Sequence, residues 1–197
     1  MSLNERKQAL VRDTIWEAAI DLFAEKGFNE TTIDDIAASA GTSRRSVFRY
    51  FESKSDFMAQ PIVSFGNSLI DLIRNCPASY SPAEILRRTL LTVAKNAAST
   101  PRTKKVMAIA AKYPEARQAQ ISRIAEIQEL VTDALAERFR RTSRDCTVSR
   151  LLAALIPALL GVVMRNWFES DQCDISKIVE NVLEGLRQVS DVRKAPK

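Results

Sequence analysis

Four cations, three rings or amphipathic side chains and several hydroxyls crowd into one short stretch of this 197-residue chain. From Thr42 to Lys54 stand Arg44, Arg45, Arg49 and Lys54 against Glu52 alone, a net charge of +3. Arginines grouped in this way suit two chemistries, bidentate pairing with guanine edges in a DNA major groove and charge-assisted bonds to phosphate. Arg44 and Arg45, with Ser46 beside them, lie where a helix would begin and so point at base edges. Arg49, Tyr50 and Lys54, with the hydroxyls of Thr32, Thr42 and Ser43, suit phosphates. Phe48 has two readings, a contact to a thymine methyl or packing on its own domain. Taken as charge alone, the same arginines are a solvated helix face; the elements around them decide between the readings.

Other chemistries are thinly supplied. The chain has no histidine, which removes His-paired nucleophiles, His general bases and His metal ligands. Neither a Gly-rich phosphate loop nor a nucleophile-base spacing occurs, so catalysis, cofactor and metal are not expected. A helical enzyme or carrier of small molecules is the rival reading, and a basic interaction bundle without sequence preference is a third. Cys76, Cys146 and Cys173 lie far apart without CxxC spacing and read as inert buried thiols in a reducing cytoplasm. No apolar stretch follows the N-terminal residues as a signal peptide would require. The longest apolar run, Leu151 to Met164, has 14 residues where a membrane span needs about 20. It reads as a buried helix, with no membrane partner.

With only 5 glycines, and apolar residues recurring at three and four, the pattern is all-α with short connections. Val11, Ile15, Ala18, Ala19, Leu22 and Phe23 write a first helix that ends at Gly27, where Phe28 can meet Phe23 in a Schellman ending. Thr31 or Thr32 caps a second helix with Asp34 and Asp35 in its first turn. Ala37 and Ala40 supply small residues for a helix crossing, Gly41 breaks the chain, and Thr42 or Ser43 caps a third helix anchored by Val47 and Phe51. Helix, glycine turn and basic-faced helix form a helix-turn-helix. Ser53 opens a fourth helix at Lys54.

Farther along, Ser81-Pro82-Ala83-Glu84 is a capping box with proline at the first helical position, and Thr100-Pro101 repeats the cap-then-proline signal. Pro114 starts another helix, reaching about Arg141, whose apolar residues at 121, 124, 127, 130, 131, 134, 135 and 139 predict burial on more than one side. Ile175, Ile178, Val179, Val182, Leu183, Leu186 and Val189 make an amphipathic last helix. The division expected is a DNA-binding domain at 1–55, a second helical domain at 56–192 and a frayed tail at 193–197.

The N-terminal quarter resembles the TetR-like transcriptional regulators. The resemblance rests on Ala18-Ala19, Leu22-Phe23, Glu25-Lys26-Gly27-Phe28, Thr31-Thr32-Ile33, Ile36-Ala37, Ala40-Gly41, Thr42-Ser43, Val47-Phe48, Tyr50-Phe51 and Ser53-Lys54, in that order. It implies a three-helix DNA-binding head, a fourth helix leading to a helical bundle for ligand binding and dimerisation at 56–192, and a repressor released from DNA by a small molecule. Tyr113-Pro114-Glu115-Ala116-Arg117 and Leu135-Ala136-Glu137-Arg138 look like members grouped as binding acyl-CoA-like ligands.

A homodimer on a palindromic operator is then expected, with the two C-terminal apolar helices as its seam, because two heads can read major-groove faces about 34 Å apart. Phe65, Leu69, Met107, Ile124, Ile127, Met164 and Trp167 are the candidates for contact with a hydrophobic or anionic acyl effector. One cluster among Arg102, Lys104, Lys105, Lys112, Arg117, Arg123, Arg138, Arg140, Arg141 and Arg144 could hold its anionic end. The overall charge of +5 is unevenly placed: residues 1–60 carry 8 Lys and Arg against 10 Asp and Glu, and the rest carries 21 against 14. The acidic residues of the first two helices are expected to face away from DNA, limiting non-specific binding.

Overall fold

A computed structural model describes residues 2–140, 146–170 and 174–190. Among the described residues there are helices and turns but no strand: α1 (Leu3–Glu25), α2 (Ile33–Ser39), α3 (Arg44–Tyr50), α4 (Lys54–Asn75), α5 (Pro82–Ser99), α6 (Thr103–Lys112), α7 (Pro114–Arg140), α8 (Cys146–Glu169) and α9 (Ile175–Ser190). The fold is all-α, as the periodicity requires. Two compact units form, one from the described residues of Met1–Val63 and Pro101–Arg123, the other from those of Ser64–Thr100 and Ile124–Lys197. This differs from the sequential division of the sequence, because α6 and the start of α7 pack with the N-terminal helices.

In the first unit α1 begins with a capping box, Ser2 accepting from the Glu5 N–H while the Glu5 carboxylate accepts from the Ser2 N–H. Its inner face is Ile15, Ala19, Ile20 and Phe23, joined in one core by Ile36, Ala37, Val47, Phe51, Phe57 and Met58 and by Val106, Ile109, Ala110 and Ala116 from α6 and α7. Gly27 follows α1 at φ +107°, and the Phe23 and Phe28 rings meet edge to face at 4.9 Å, the contact expected there. Thr31 is buried and its hydroxyl donates to Gly27 O at 2.7 Å, leaving Thr32 as the N-cap of α2. The Schellman pair of hydrogen bonds appears at the second glycine. Gly41 stands at φ +61°, Thr42 N–H donates to Ala37 O at 2.9 Å and Gly41 N–H to Ala38 O at 3.2 Å.

α3 is capped by Ser43, whose Oγ accepts from the Ser46 N–H. α4 starts at Lys54 as read, with Asp56 reaching back to accept from the Glu52 and Ser53 N–H groups. The capping box of Ser81 and Glu84 forms at α5 with Pro82 in its first turn. The second cap-then-proline signal does not work as read. Thr100 ends α5, its hydroxyl donating back to Asn96 O, and α6 begins at Thr103 without a side-chain cap, because the residue before it is Arg102, whose guanidinium has no acceptor and pairs with Asp21 of α1.

In the second unit α5, α8 and α9 pack together. α8 buries Leu152, Ala153, Ile156, Val163 and Trp167, while Leu151 and Val162 stand 56% and 47% exposed. Within one chain α8 is therefore buried on one face, and its second apolar face stays open. By length and composition alone Thr147–Glu169 could cross a membrane. α7 also departs from expectation: Val131, Ala134, Leu135 and Phe139 are buried on one face, but Ile121 and Leu130 are more than half exposed. α9 buries Ile175, Val179 and Val182 along its regular apolar stripe. Cys76 is a buried free thiol. The Cys146 and Arg140 side chains, Cys173, Arg141, Arg144 and the 193–197 tail lie outside what is described.

Candidate nucleic-acid interface

The expected DNA-facing residues divide by what already holds them. Ser43 and Ser46 share a 3.1 Å hydroxyl bond at the start of α3, with Ser43 exposed and Ser46 and Thr42 half-buried. Arg44 pairs with Asp34 of α2, Nη1 to Oδ2 at 3.0 Å, and its guanidinium stands 5.5 Å over the Phe48 ring. Phe48 is 41% exposed, so the ring lies at the surface of its domain and not in its core. Arg45 is exposed, and among the described residues no partner engages it. Arg49 donates to the Tyr50 hydroxyl at 2.9 Å and lies 4.8 Å over the same ring. Tyr50 is half-buried against the core of the first unit, so its ring is a support with a polar edge.

Thr32 serves α2 directly. Its N–H and hydroxyl both donate to Asp35 Oδ2 at 2.7 Å, and the Asp35 N–H donates back to its hydroxyl at 3.1 Å. Lys26 donates to the same Asp35 oxygen at 2.8 Å. Lys26 first, then Thr32, hold the Asp35 carboxyl far below the ordinary aspartate range. Two adjacent acids thus have separate tasks, Asp35 closing the helix and Asp34 facing Arg44. Asp34 thus lies beside Arg44, one of the expected DNA contacts, and not apart from it.

Lys54 is a second correction. Its ammonium donates to Phe28 O at 2.6 Å, Thr31 O at 3.0 Å and Asn29 O at 3.1 Å, and sits 5.0 Å over the Phe28 ring. Burial pushes its pKa down, against the pull of Glu30. An ammonium with three donors and three carbonyl acceptors is committed to the α1–α2 loop, so the phosphate role expected of it gives way to a loop-holding one.

The effector candidates fall in both units. Phe65, Leu69, Ile124, Ile127, Met164 and Trp167 belong to the second, with Leu69 and Trp167 buried and the others half-buried, whereas Met107 belongs to the first. Ile127 lies directly over Gly66. A shallow groove of about 520 Å³ in the first unit is lined by Ser55, Pro114, Glu115, Gln118, Ala119 and Ser122, none of them an expected effector contact. The basic residues proposed for an anionic ligand are partly committed elsewhere. Arg102 and Lys105 pair with Glu17 and Asp21, and Arg138 donates to the carbonyls of Ile73, Cys76 and Pro77. Neither α6's place in the N-terminal core nor Asp34 is visible in spacing; the acidic pair Asp34-Asp35 is the one sequence signal that could have drawn notice.

Two short helices joined through a left-handed glycine, the second presenting cations to solvent, define a helix-turn-helix DNA-binding regulator. Comparison with known proteins is more specific. Residues 15–60 match the model for bacterial regulatory proteins of the tetR family, and residues 80–191 match the MftR C-terminal domain. The chain belongs to the tetR family. It is 31% identical over 179 residues to the protein of Mycobacterium tuberculosis named as the mycofactocin biosynthesis transcriptional regulator MftR, covering 87% of each chain. A TetR-family regulator from Syntrophomonas wolfei shares the fold at TM-score 0.70 and 18% identity, over 92% of this chain and 95% of that one. SmeT, the efflux-pump repressor of Stenotrophomonas maltophilia solved with triclosan, does so at TM-score 0.64 and 21% identity, over 95% of both. These relatives are transcriptional regulators, and the chain is a regulator rather than an enzyme.

Proposed function

We propose that the protein is a homodimeric repressor in the cytoplasm that reads a palindromic operator through α3 and leaves it on binding a small hydrophobic or acyl-type effector. The observation that carries the reading is the exposed arginine row of α3, set by the Gly41 turn and backed by Val47 and Phe51 in the core. Arg45 reads a base edge, Arg44 a second one from its seat on Phe48, and Arg49 reaches phosphate, with Ser43, Thr42, Thr32 and Ser46 as neighbouring polar contacts. Dimerisation uses the apolar stripe of Leu151, Leu155, Ala158 and Val162 on α8, together with α9. The effector binds in the second unit, for which the triclosan held by SmeT is the model of size and polarity.

Release is a shift of populations. DNA favours the state whose recognition helices match successive grooves, and effector favours another, with α4 as the continuous element carrying residues of both units. The test is titration of a promoter-derived duplex against a scrambled one at fixed salt, before and after adding long-chain acyl-CoA or triclosan. Preference for the promoter duplex is expected, and Arg45→Ala should weaken binding by about 1 to 3 kcal/mol and relax base preference. Equal affinity for both duplexes would defeat the reading.

A further inference from the structure

Asp34 and Asp35 are neighbours on α2 with opposite surroundings. Asp35 receives the Thr32 N–H, the Thr32 hydroxyl and the Lys26 ammonium, so the helix start needs nothing from Asp34. Asp34 stands two-thirds exposed, and its Oδ2 takes Arg44 Nη1 at 3.0 Å across ten residues and a turn. Phe48 lies under the same guanidinium. An arginine has five N–H donors in a fixed fork, and a carboxylate on Nη1 leaves the other donors for a guanine edge. A second carboxylate oxygen beside a guanine-reading arginine can accept from the amino group of a cytosine, whose major-groove edge offers a donor and no acceptor, whereas adenine sets an acceptor beside its amino group. The same negative charge repels phosphate wherever no such donor answers it.

We propose that Asp34 is a specificity-determining residue of the DNA-reading surface: it holds Arg44 for guanine, accepts from a cytosine amino group, and penalises duplexes that offer neither. The inference rests on the reading of α3 as the recognition helix. An exposed ion pair contributes little to the stability of the free protein, so the role shows in discrimination and not in folding.

The test uses the full chain. Duplexes with a randomised core are selected on the wild type, on Asp34→Asn, on Arg44→Ala and on the double variant, and the wild-type winner is then titrated against a scrambled duplex. Asp34→Asn should melt as the wild type does, bind scrambled DNA more tightly, and lose about tenfold in discrimination, with one G·C preference missing from each half-site. In the Arg44→Ala background, Asp34→Asn should change discrimination much less, since the two act together. Unchanged discrimination and an unchanged selected motif in Asp34→Asn would overturn the inference while leaving DNA reading intact. A wild type that enriches no sequence would overturn both.

Discussion

The Trp16 indole N–H donates to the Phe57 carbonyl at 2.8 Å, and Phe57 is the residue four before Pro61 inside α4. A proline has no N–H, so the Phe57 carbonyl lacks its helical donor, and an indole 41 residues away in sequence fills the place. The two elements are joined where α4 leaves the helix-turn-helix. Trp16→Phe keeps a ring and removes the donor, and it should cost about 1 to 3 kcal/mol in urea unfolding. In a Pro61→Ala background, where residue 61 regains an N–H, the same change should cost distinctly less. Equal costs in the two backgrounds would show that ring size, and not the hydrogen bond, carries the effect.

Acid should loosen α6 from α1. The Arg102 Nε and Nη2 both donate to the Asp21 carboxylate, at 3.2 and 2.8 Å for the shorter contacts, with Lys105 on Asp21 at 2.7 Å and Glu17 on Arg102 at 3.2 Å. The bond from Arg102 is the main cause holding the Asp21 carboxyl below its ordinary 3.8, outweighing partial burial. A carboxylate depressed by folding stabilises the fold fully above its unfolded value, and that contribution is lost as pH falls through the lower folded value. Stability measured from pH 6 down to 2 should therefore fall more steeply for the wild type than for Asp21→Asn. At pH 7 the variant should be less stable by about 1 to 2 kcal/mol.

Lys54 separates a structural cation from a DNA contact. Loss of a phosphate contact lowers the slope of log affinity against log salt by about 1, while loss of an internal ammonium does not. Lys54→Met leaves three loop carbonyls without their donor, so thermal stability should fall and the salt slope should stay near that of the wild type. Arg49→Ala is the control, with a shallower slope expected. A slope reduced equally in both would return Lys54 to the phosphate contacts.

The features legible in the sequence are those whose physics is local. Ser81-Pro82-Ala83-Glu84 and Thr32 with Asp35 carry their hydrogen-bonding partners within three residues, and Gly41 marks the one backbone conformation that α2 needs to stop. The arginines of α3 are legible as charge at helical spacing. What spacing cannot show is which partner a charged group takes across the fold. Arg102 and Asp21 lie 81 residues apart, Lys54 and the loop carbonyls 23 to 26, and each cation has other acids and carbonyls nearer in sequence. Thr100-Pro101 is a different case, a local signal overruled by another local one: Thr100 closes α5, its hydroxyl donating to Asn96 O one turn back.

Gly66 and Ile127 should be intolerant of a single methyl. A Cβ built on Gly66 would stand 2.5 Å from Ile127 Cδ1 and 2.9 Å from its Cγ1 and Cγ2. Three atoms of one branched side chain cannot all swing away, so α4 or α7 must move. Gly66→Ala should cost about 1 to 3 kcal/mol, as overpacking does. Adding Ile127→Ala opens the space, and the double variant should lose less than the sum of the single changes. The result also bears on the effector: an Ile127 fixed by this crossing is a packing residue, and Ile127→Ala should then alter stability more than effector affinity.

The α8 stripe makes dimerisation a question of two residues. Leu151 and Val162 are exposed large apolar side chains on one helix, with Leu155 half-buried and Ala158 exposed between them at steps of four, three and four. That spacing returns to one face of the helix, while Leu152, Ile156 and Val163 bury the other against the chain's own core. Leu151→Glu with Val162→Glu places two charges on the outer face and leaves the inner one intact, so the helical circular dichroism should persist. The wild type should sediment as a dimer at micromolar concentration and the double variant as a monomer. Operator affinity should fall when dimerisation is lost, since a single head covers a short half-site and lacks the second set of contacts. A wild type that sediments as a monomer with or without operator DNA would remove the seam from α8.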